Sequence, residues 1–257
     1  YITLLNLAQN LYYLYKLTTK EKFSDEIRTY TAQFLGTIFD RLDWDSKKNE
    51  RHTDSLLRSF VITALGKLGD KEILSEANKR FNKFLKNKNS LAADLQEPVF
   101  VLAAWQGDKK TYNRLLSLYR KSTLQEEKIR FLMAMCNFKQ KNLLLKTLAL
   151  SLTPEVRSQN IRAPIMGVSA NIYGKDVLWP WLKNHWKELV RKFGVGNPLA
   201  NRIVASVGGV IDDKQERDVR NFFKRNPLPG TERVIEQTLE RVRIRSKFLR
   251  RIKAEFG

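Results

Sequence analysis

From Leu178 onward the apolar residues fall at Leu178, Leu182, Trp186, Leu189 and Phe193. These steps of four, four, three and four place all five on one stripe of an α-helix. Trp179 and Trp181 flank the stripe, while Lys183, Asn184, Lys187, Glu188, Arg191 and Lys192 take the wet side. Asp176 is the expected cap for the first free N–H groups, and Pro180 sits near enough to that start to be tolerated. Gly194 follows the basic pair Arg191-Lys192 and supplies a left-handed stop. The plain reading of this segment is a buried aromatic helix with no chemistry of its own.

The remainder reads as helix after helix. Leu4 to Leu17 is rich in leucine and aromatics, and Ser24 is the expected cap of a second helix running toward Leu42. The loop from Asp43 to Glu50 is polar and breaks the periodicity. Thr53 or Asp54 then caps a helix whose pairs Leu56-Leu57, Phe60-Val61 and Ala64-Leu65 recur every four residues. Gly69-Asp70 and Gly107-Asp108 both join a helix stop to a helix cap, the chemistry of a tight antiparallel turn. Thr123-Leu-Gln-Glu126 matches a capping box, Leu143 to Leu152 is a further apolar helix, and Thr153-Pro154 reads as a cap followed by a first-turn proline. A helix begins or kinks at Pro164. Asn197-Pro198 opens another with Leu199, Ile203, Val204 and Val207 on one face, and Gly208-Gly209 is a helix end. Asp212 or Asp213 caps the helix that reaches Phe222-Phe223, and Thr231 caps the last one. No stretch alternates with period two long enough to be a strand. The expected fold is therefore all-α, an α-superhelix in which HEAT- or armadillo-like antiparallel helix pairs stack into a solenoid with a concave, bowl-like wall. Residues 1–257 are expected to form one such domain.

Composition adds a partner question. The chain has 257 residues and a formal net charge of +20, which attracts nucleic acid, acidic surfaces or acidic peptides. The densest basic run, Arg241 to Lys247 with Arg250, Arg251 and Lys253 behind it, is interleaved with Val242, Ile244, Phe248, Leu249 and Ile252, as in an amphipathic last helix. A solvated helix face explains that run better than a nucleic-acid groove. A single cysteine, Cys136, cannot form a disulfide within the chain, so a reducing, cytoplasmic setting is expected. No apolar run is long enough to cross a bilayer, so no membrane partner is expected.

The search for chemistry excludes more than it finds. His52 and His185 are the two histidines, and neither begins a His-Glu-x-x-His zinc motif. No metal site and no cofactor are expected in this chain. Cys136 lacks a neighbouring base, and there is no Gly-x-Ser-x-Gly elbow, phosphate loop or dinucleotide fingerprint. Glu126-Glu127 and Asp212-Asp213 stand where helix dipoles favour acids. No catalytic residue is assigned.

Several short motifs nevertheless fall in a telling order. They are Leu42-Asp43-Trp44, Leu56-Leu57-Arg58, Ala104-Trp105-Gln106-Gly107 and Glu127-Lys128, followed by Arg157-Ser-Gln159, Asn171-Ile-Tyr-Gly174, Trp179-Pro-Trp181 and Asn184-His-Trp186. Phe222-Phe223 and Leu239-Glu240-Arg241-Val242 complete the series. Their order and spacing resemble the C-terminal helical domain of the zinc aminopeptidase family that includes aminopeptidase N, the endoplasmic-reticulum aminopeptidases and the archaeal tricorn-interacting factors.

The resemblance implies a bowl that closes over a separate catalytic domain of the parent chain, which holds the zinc and performs the hydrolysis, with the first helices of the bowl possible outside this sequence. It implies peptides as partners and a metalloprotease as the parent. Gln159, Asn171, Gly174, Trp179, Asn184 and Trp186 are motif positions expected to act structurally. Some members of the family hold the peptide carboxylate with a Tyr-Lys pair, which Tyr15-Lys16 matches, and with an Arg just before the Asn-x-x-Gly segment, where this chain has Ala170. A cation beside a phenol suits a carboxylate; an ordinary amphipathic helix end is the competing explanation of the pair. The second reading is a basic helical-repeat protein gripping nucleic-acid backbone, and the third a protein-docking scaffold.

Overall fold

α1 (Ile2–Thr18), α2 (Ser24–Leu42), α3 (His52–Leu68), α4 (Lys71–Lys86) and α5 (Ala93–Trp105) follow one another with short connections. The computed structural model describes residues 2–194, 196–209 and 211–256. The described residues fall into two compact units, 2–107 with Phe256, and Asp108–Glu255. Among the described residues every regular element is helical and none is a strand, as the periodicity predicts.

In the first unit α2 buries Ile27, Thr31, Leu35, Ile38 and Leu42, one face at helical spacing. α3 packs against both α2 and α5 and so buries a wider face that includes Leu57, Val61, Ile62 and Leu65. Each such side chain taken from water stabilises the fold by about 1.5–3 kcal/mol. At Gly66 the bare backbone receives Leu102 of α5: a Cβ there would lie 2.5 Å from a leucine methyl. α4 docks through Phe81 and Phe84, whose rings stand 6.0 and 4.8 Å from that of Phe100 on α5. Gly69 takes a φ of 102° at the end of α3, and Asp70 accepts the Ile73 N–H at 3.0 Å, so this tight turn forms as expected.

The polar loop between α2 and α3 is tied down from inside. Arg58 is buried on α3 and donates to the Asp43 carbonyl at 2.9 Å and the Leu42 carbonyl at 3.1 Å, and it pairs with Glu50. On the outside Arg80 forks onto Asp45 with two 2.7 Å bonds and lies over the Trp44 ring.

The second unit comprises α6 (Lys109–Lys121), α7 (Gln125–Met135), α8 (Lys141–Leu150), α9 (Arg162–Ala170), α10 (Lys175–Phe193), α11 (Leu199–Val207), α12 (Glu216–Arg225) and all but the last residue of α13 (Glu232–Phe256). α6 packs on α7, and α9 lies among α7, α8, α10 and α11. Gly167 lets α9 approach the end of α7, since a Cβ would fall 2.8 Å from the Cys136 sulfur. The stripe Leu178, Leu182, Trp186, Leu189 and Phe193 is buried, and so are Trp179 and Trp181. Gly194 ends α10 with a φ of 85°.

Helix starts depart from expectation more often than helix bodies. Asp108 caps α6 through the Thr111 N–H at 2.9 Å, and Asp212 exchanges bonds with Gln215 ahead of α12. Asn197 accepts the Leu199 N–H at 2.9 Å before α11. Elsewhere the expected cap is overruled. Ser24 is already inside α2, with Phe23 before it. α3 starts at His52, and Asp54 turns to Arg41 instead of capping. No capping box forms at Thr123: Leu124 precedes α7 and Glu126 reaches forward to Arg130 at 2.8 Å. Thr153-Pro154 opens no helix, because the Thr153 hydroxyl donates back to the Leu150 carbonyl and α9 waits until Arg162. Asp176 lies within the first turn of α10, behind a 3-10 turn at Ile172–Gly174 that Asn171 caps. Thr231 likewise donates back to Leu228 at 2.7 Å, and Glu232 instead accepts the Gly230 N–H. Hydroxyls that can satisfy the preceding turn do so in preference to capping the next.

Candidate functional site

Tyr12 and Lys16 stand one turn apart on α1, and Phe60 and Lys67 two turns apart on α3, so each pair shares a helix face. The two faces meet where Tyr12 rests edge-on against Phe60, with ring centroids 6.1 Å apart. Tyr15 joins this patch 6.1 Å from Tyr12. The Lys16 ammonium lies over the Tyr12 ring at 5.3 Å, and the Lys67 ammonium over the Trp105 ring of α5 at 5.5 Å. The patch is thus built by three helices of one unit, with aromatic faces beneath two cations.

Its electrostatics favour an incoming negative charge. Burial holds the Lys16 ammonium below the ordinary lysine range. Lys67 falls to about 8, chiefly through burial and further through the charge on Lys16, with Glu97 of α5 acting in the opposite sense. Burial also raises the Tyr12 phenol above its usual value, so it remains a neutral hydroxyl at physiological pH. Lys67 was not singled out by the sequence reading. The available signal was its place seven residues after Phe60, on the same stripe, in a helix otherwise apolar there.

The motif residues of the second unit are placed as follows. Asn171 donates to the carbonyls of Cys136 and Phe138 at 2.9 Å each, and accepts the Tyr173 N–H at 3.0 Å. Gly174 lies so close to the end of α9 that a Cβ would sit 1.9 Å from the Val168 carbonyl oxygen. Trp179 is buried, its indole N–H donating to Asp218 at 2.8 Å, and packs edge-on against Phe222. Trp186 is buried against Phe223, 5.3 Å between centroids. Gln159 and Asn184 are exposed. Ala170 closes α9 with an exposed methyl, so no guanidinium is available at that position.

Neither histidine lies in a ligand set. His185 stacks on Trp181 and uses Nδ1 at the Trp181 carbonyl, and among the described residues no group of three His, Cys, Asp or Glu side chains could hold a metal ion. The residues present do not fit zinc. Cys136 is buried, its thiol pushed up by burial and its sulfur within 3.2 Å of the Leu132 carbonyl, which makes it a poor nucleophile. Among the described residues no helix is long and apolar enough to cross a membrane.

Residues 1–244 match the family described as the ERAP1-like C-terminal domain. The chain belongs to this family. Among similar proteins, aminopeptidase M1-A of Oryza sativa subsp. japonica is 31% identical over 90% of this chain and 26% of its own length. Aminopeptidase M1 of Arabidopsis thaliana is 33% identical over 84% of this chain and 25% of its own. Glutamyl aminopeptidase of Sus scrofa is 30% identical over 87% of this chain and 24% of its own. This ERAP1-like C-terminal domain therefore spans about a quarter of the curated relatives it matches. Nothing in these relationships favours a nucleic-acid partner, and the basic run of α13 is partly spent internally. Arg243 pairs with Glu216, and Arg245 donates to the carbonyls of Gly208 and Ile211.

Proposed function

We propose that this chain is the non-catalytic C-terminal domain of a zinc-dependent aminopeptidase. It folds as one superhelical domain whose concave wall encloses a peptide chamber, and a separate catalytic domain of the parent removes N-terminal residues. The observation that carries this reading is the match of residues 1–244 to the ERAP1-like C-terminal domain, joined to relatives that are aminopeptidases. Zinc would be held in the catalytic domain of the parent, outside this chain. Motif residues such as Asn171 and Gly174 set the junctions between helices, while Tyr15 and Lys16 receive the free carboxylate of the peptide.

The chemistry of the first unit supports that last assignment. A carboxylate meeting Lys16 gains a charge-assisted hydrogen bond in surroundings where the cation has already lost much of its water. The Tyr12 and Tyr15 rings beside it offer apolar contact to the last side chain of the peptide. The test is fluorescence anisotropy of labelled peptides, with the C-terminus free or amidated, against the 257-residue chain. The free acid is expected to bind about tenfold or more tightly, and Lys16→Met to abolish the difference. Equal affinity for both peptide forms would defeat the reading.

A further inference from the structure

The second unit leaves an apolar groove open on its surface. α7 and α9 pack side by side and run in the same sense. Gln125 at the start of α7 meets Asn160, just ahead of α9, at 3.3 Å, and Gly167 lies against Cys136, just past the end of α7. On the outer side of α7, Ile129 and Met133 stand one turn apart, and on α9 Met166 and Ala170 do the same. Between these ridges the floor is small. It is made by Gly167, where a Cβ would sit 3.4 Å from the Met133 sulfur, and by Ala163, one turn earlier on the same side of α9. Ile129 is 36% exposed and Met166 43%, although the same helices bury Leu132, Met135, Ile165 and Val168.

We propose that this groove holds an extended peptide segment by its apolar side chains, so that favoured substrates carry two such side chains separated by one residue. The inference rests on the peptide reading of the chain and deepens it by naming the substrate class. The rise from Ile129 to Met133 is about 6 Å, and from Ala163 to Ala170 about 10.5 Å. An extended chain sets side chains i and i+2 on one side about 6.8 Å apart, so the groove has the length for two. At its edges Gln125 is engaged with Asn160, Glu126 with Arg130 at 2.8 Å, and the Ser169 hydroxyl with the Ser206 carbonyl at 2.6 Å. Recognition therefore comes chiefly from apolar contact, which sets an apolar peptide above a nucleic-acid backbone. A second copy or a docked domain would need about 20–30 residues on each side, far more than this strip supplies. Thioethers are flexible and polarizable, so Met133 and Met166 can adapt to leucine, isoleucine, valine or phenylalanine alike.

The methionines of the chain make the groove directly observable. There are three: Met133 and Met166 line it, while Met135 is fully buried on the opposite side of α7. A methyl group that meets a ligand side chain changes its magnetic surroundings. One sealed in the core does not, so Met135 is an internal reference.

The experiment titrates short peptides of equal charge, all with a free C-terminus, into the 257-residue chain carrying carbon-13 methyl methionine. One peptide has two leucines separated by one residue, a second has two adjacent leucines, and a third has serine at both places. By fluorescence anisotropy the alternating-leucine peptide is expected to bind about tenfold or more tightly than the serine peptide, with the adjacent pair between them. Its binding should move the Met133 and Met166 methyl resonances and leave that of Met135 in place. Ile129→Lys and Met166→Lys, at exposed positions, should each remove most of the leucine preference, whereas Tyr30→Lys, exposed in the first unit, should keep it. Thermal melts serve as the folding control for the variants, and the methyl readout needs no variant at all. If a peptide binds while the Met133 and Met166 methyls stay fixed, or if leucine and serine peptides bind equally, the groove's role is overturned and the peptide reading survives. Methyl shifts that follow protein concentration instead of added peptide would give the groove to a second copy and overturn it as well. If no peptide binds, both readings fall.

Discussion

Gly174 and Asn171 show how a single position can set the join between two helices. The backbone at Gly174 packs against the last turn of α9 with no room for a methyl group, a Cβ being 1.9 Å from the Val168 carbonyl oxygen. That neighbour is backbone and cannot swing aside. Gly174→Ala should therefore destabilise the chain by about 2–4 kcal/mol in urea unfolding, by shifting the start of α10. A loss below about 0.5 kcal/mol would show that the 3-10 turn relaxes freely. Asn171 is tied by three bonds to both sides of this join. The spacing Asn-x-x-Gly is visible in the sequence, but its reason is not: both constraints are made by residues some 6 to 35 positions away in the chain. Lys67 is the opposite case, since one cation in an apolar helix reads as a snorkelling surface residue until the Trp105 ring is seen beneath it.

α12 and α13 are joined by charge. Glu216 receives Arg243 with an Nε bond of 2.8 Å and Arg220 at 3.3 Å, and Arg220 continues to Glu236. The two guanidiniums hold the Glu216 carboxyl at about 2, below its usual 4.5, with Arg243 the larger influence. A carboxyl depressed on folding contributes stability above its unfolded value and loses it as pH falls toward the folded one. The contribution should thus be complete above pH 4.5 and vanish toward pH 2. Glu216→Gln should cost roughly 1–2 kcal/mol at pH 7 after allowing for solvent screening, and nothing at pH 2. Denaturant titrations at both values check this; an equal cost at the two pH values would assign the effect to shape, not charge. At this scale the sequence was a good guide to helix bodies and a poor one to their starts. Apolar spacing fixed the buried face of α10, because burial acts over many residues at once. A cap depends on one rotamer, and Thr153 and Thr231 each had a nearer carbonyl to satisfy.

For the whole molecule, the all-helical character was legible because no stretch carries a two-residue period, and it is found throughout the described residues. The family was legible because many weak motifs keep their order along the chain, and residues 1–244 match it. The proposed carboxylate role of Tyr15 and Lys16 came from the motif match alone, because a Tyr-Lys pair at a helix end has no pattern of its own. If the zinc and the hydrolysis belong to a separate catalytic domain, as proposed, this chain on its own should cleave no aminoacyl-coumarin substrate, with or without added zinc. Zinc-dependent release that copurifies with the chain through several columns would contradict the division of labour proposed here.

Arg58 bears on how such a domain can change. Its guanidinium stands in for the ladder that the irregular loop from Asp43 to Glu50 does not have, and the partly exposed Glu50 balances its charge. Losing Glu50 strands the Arg58 guanidinium as an ion in a dry interior, whereas exchanging both for well-fitted hydrocarbons removes that penalty. Variation at these two sites is thus coupled: a viable route between alternatives changes both together, or passes through a crippled intermediate.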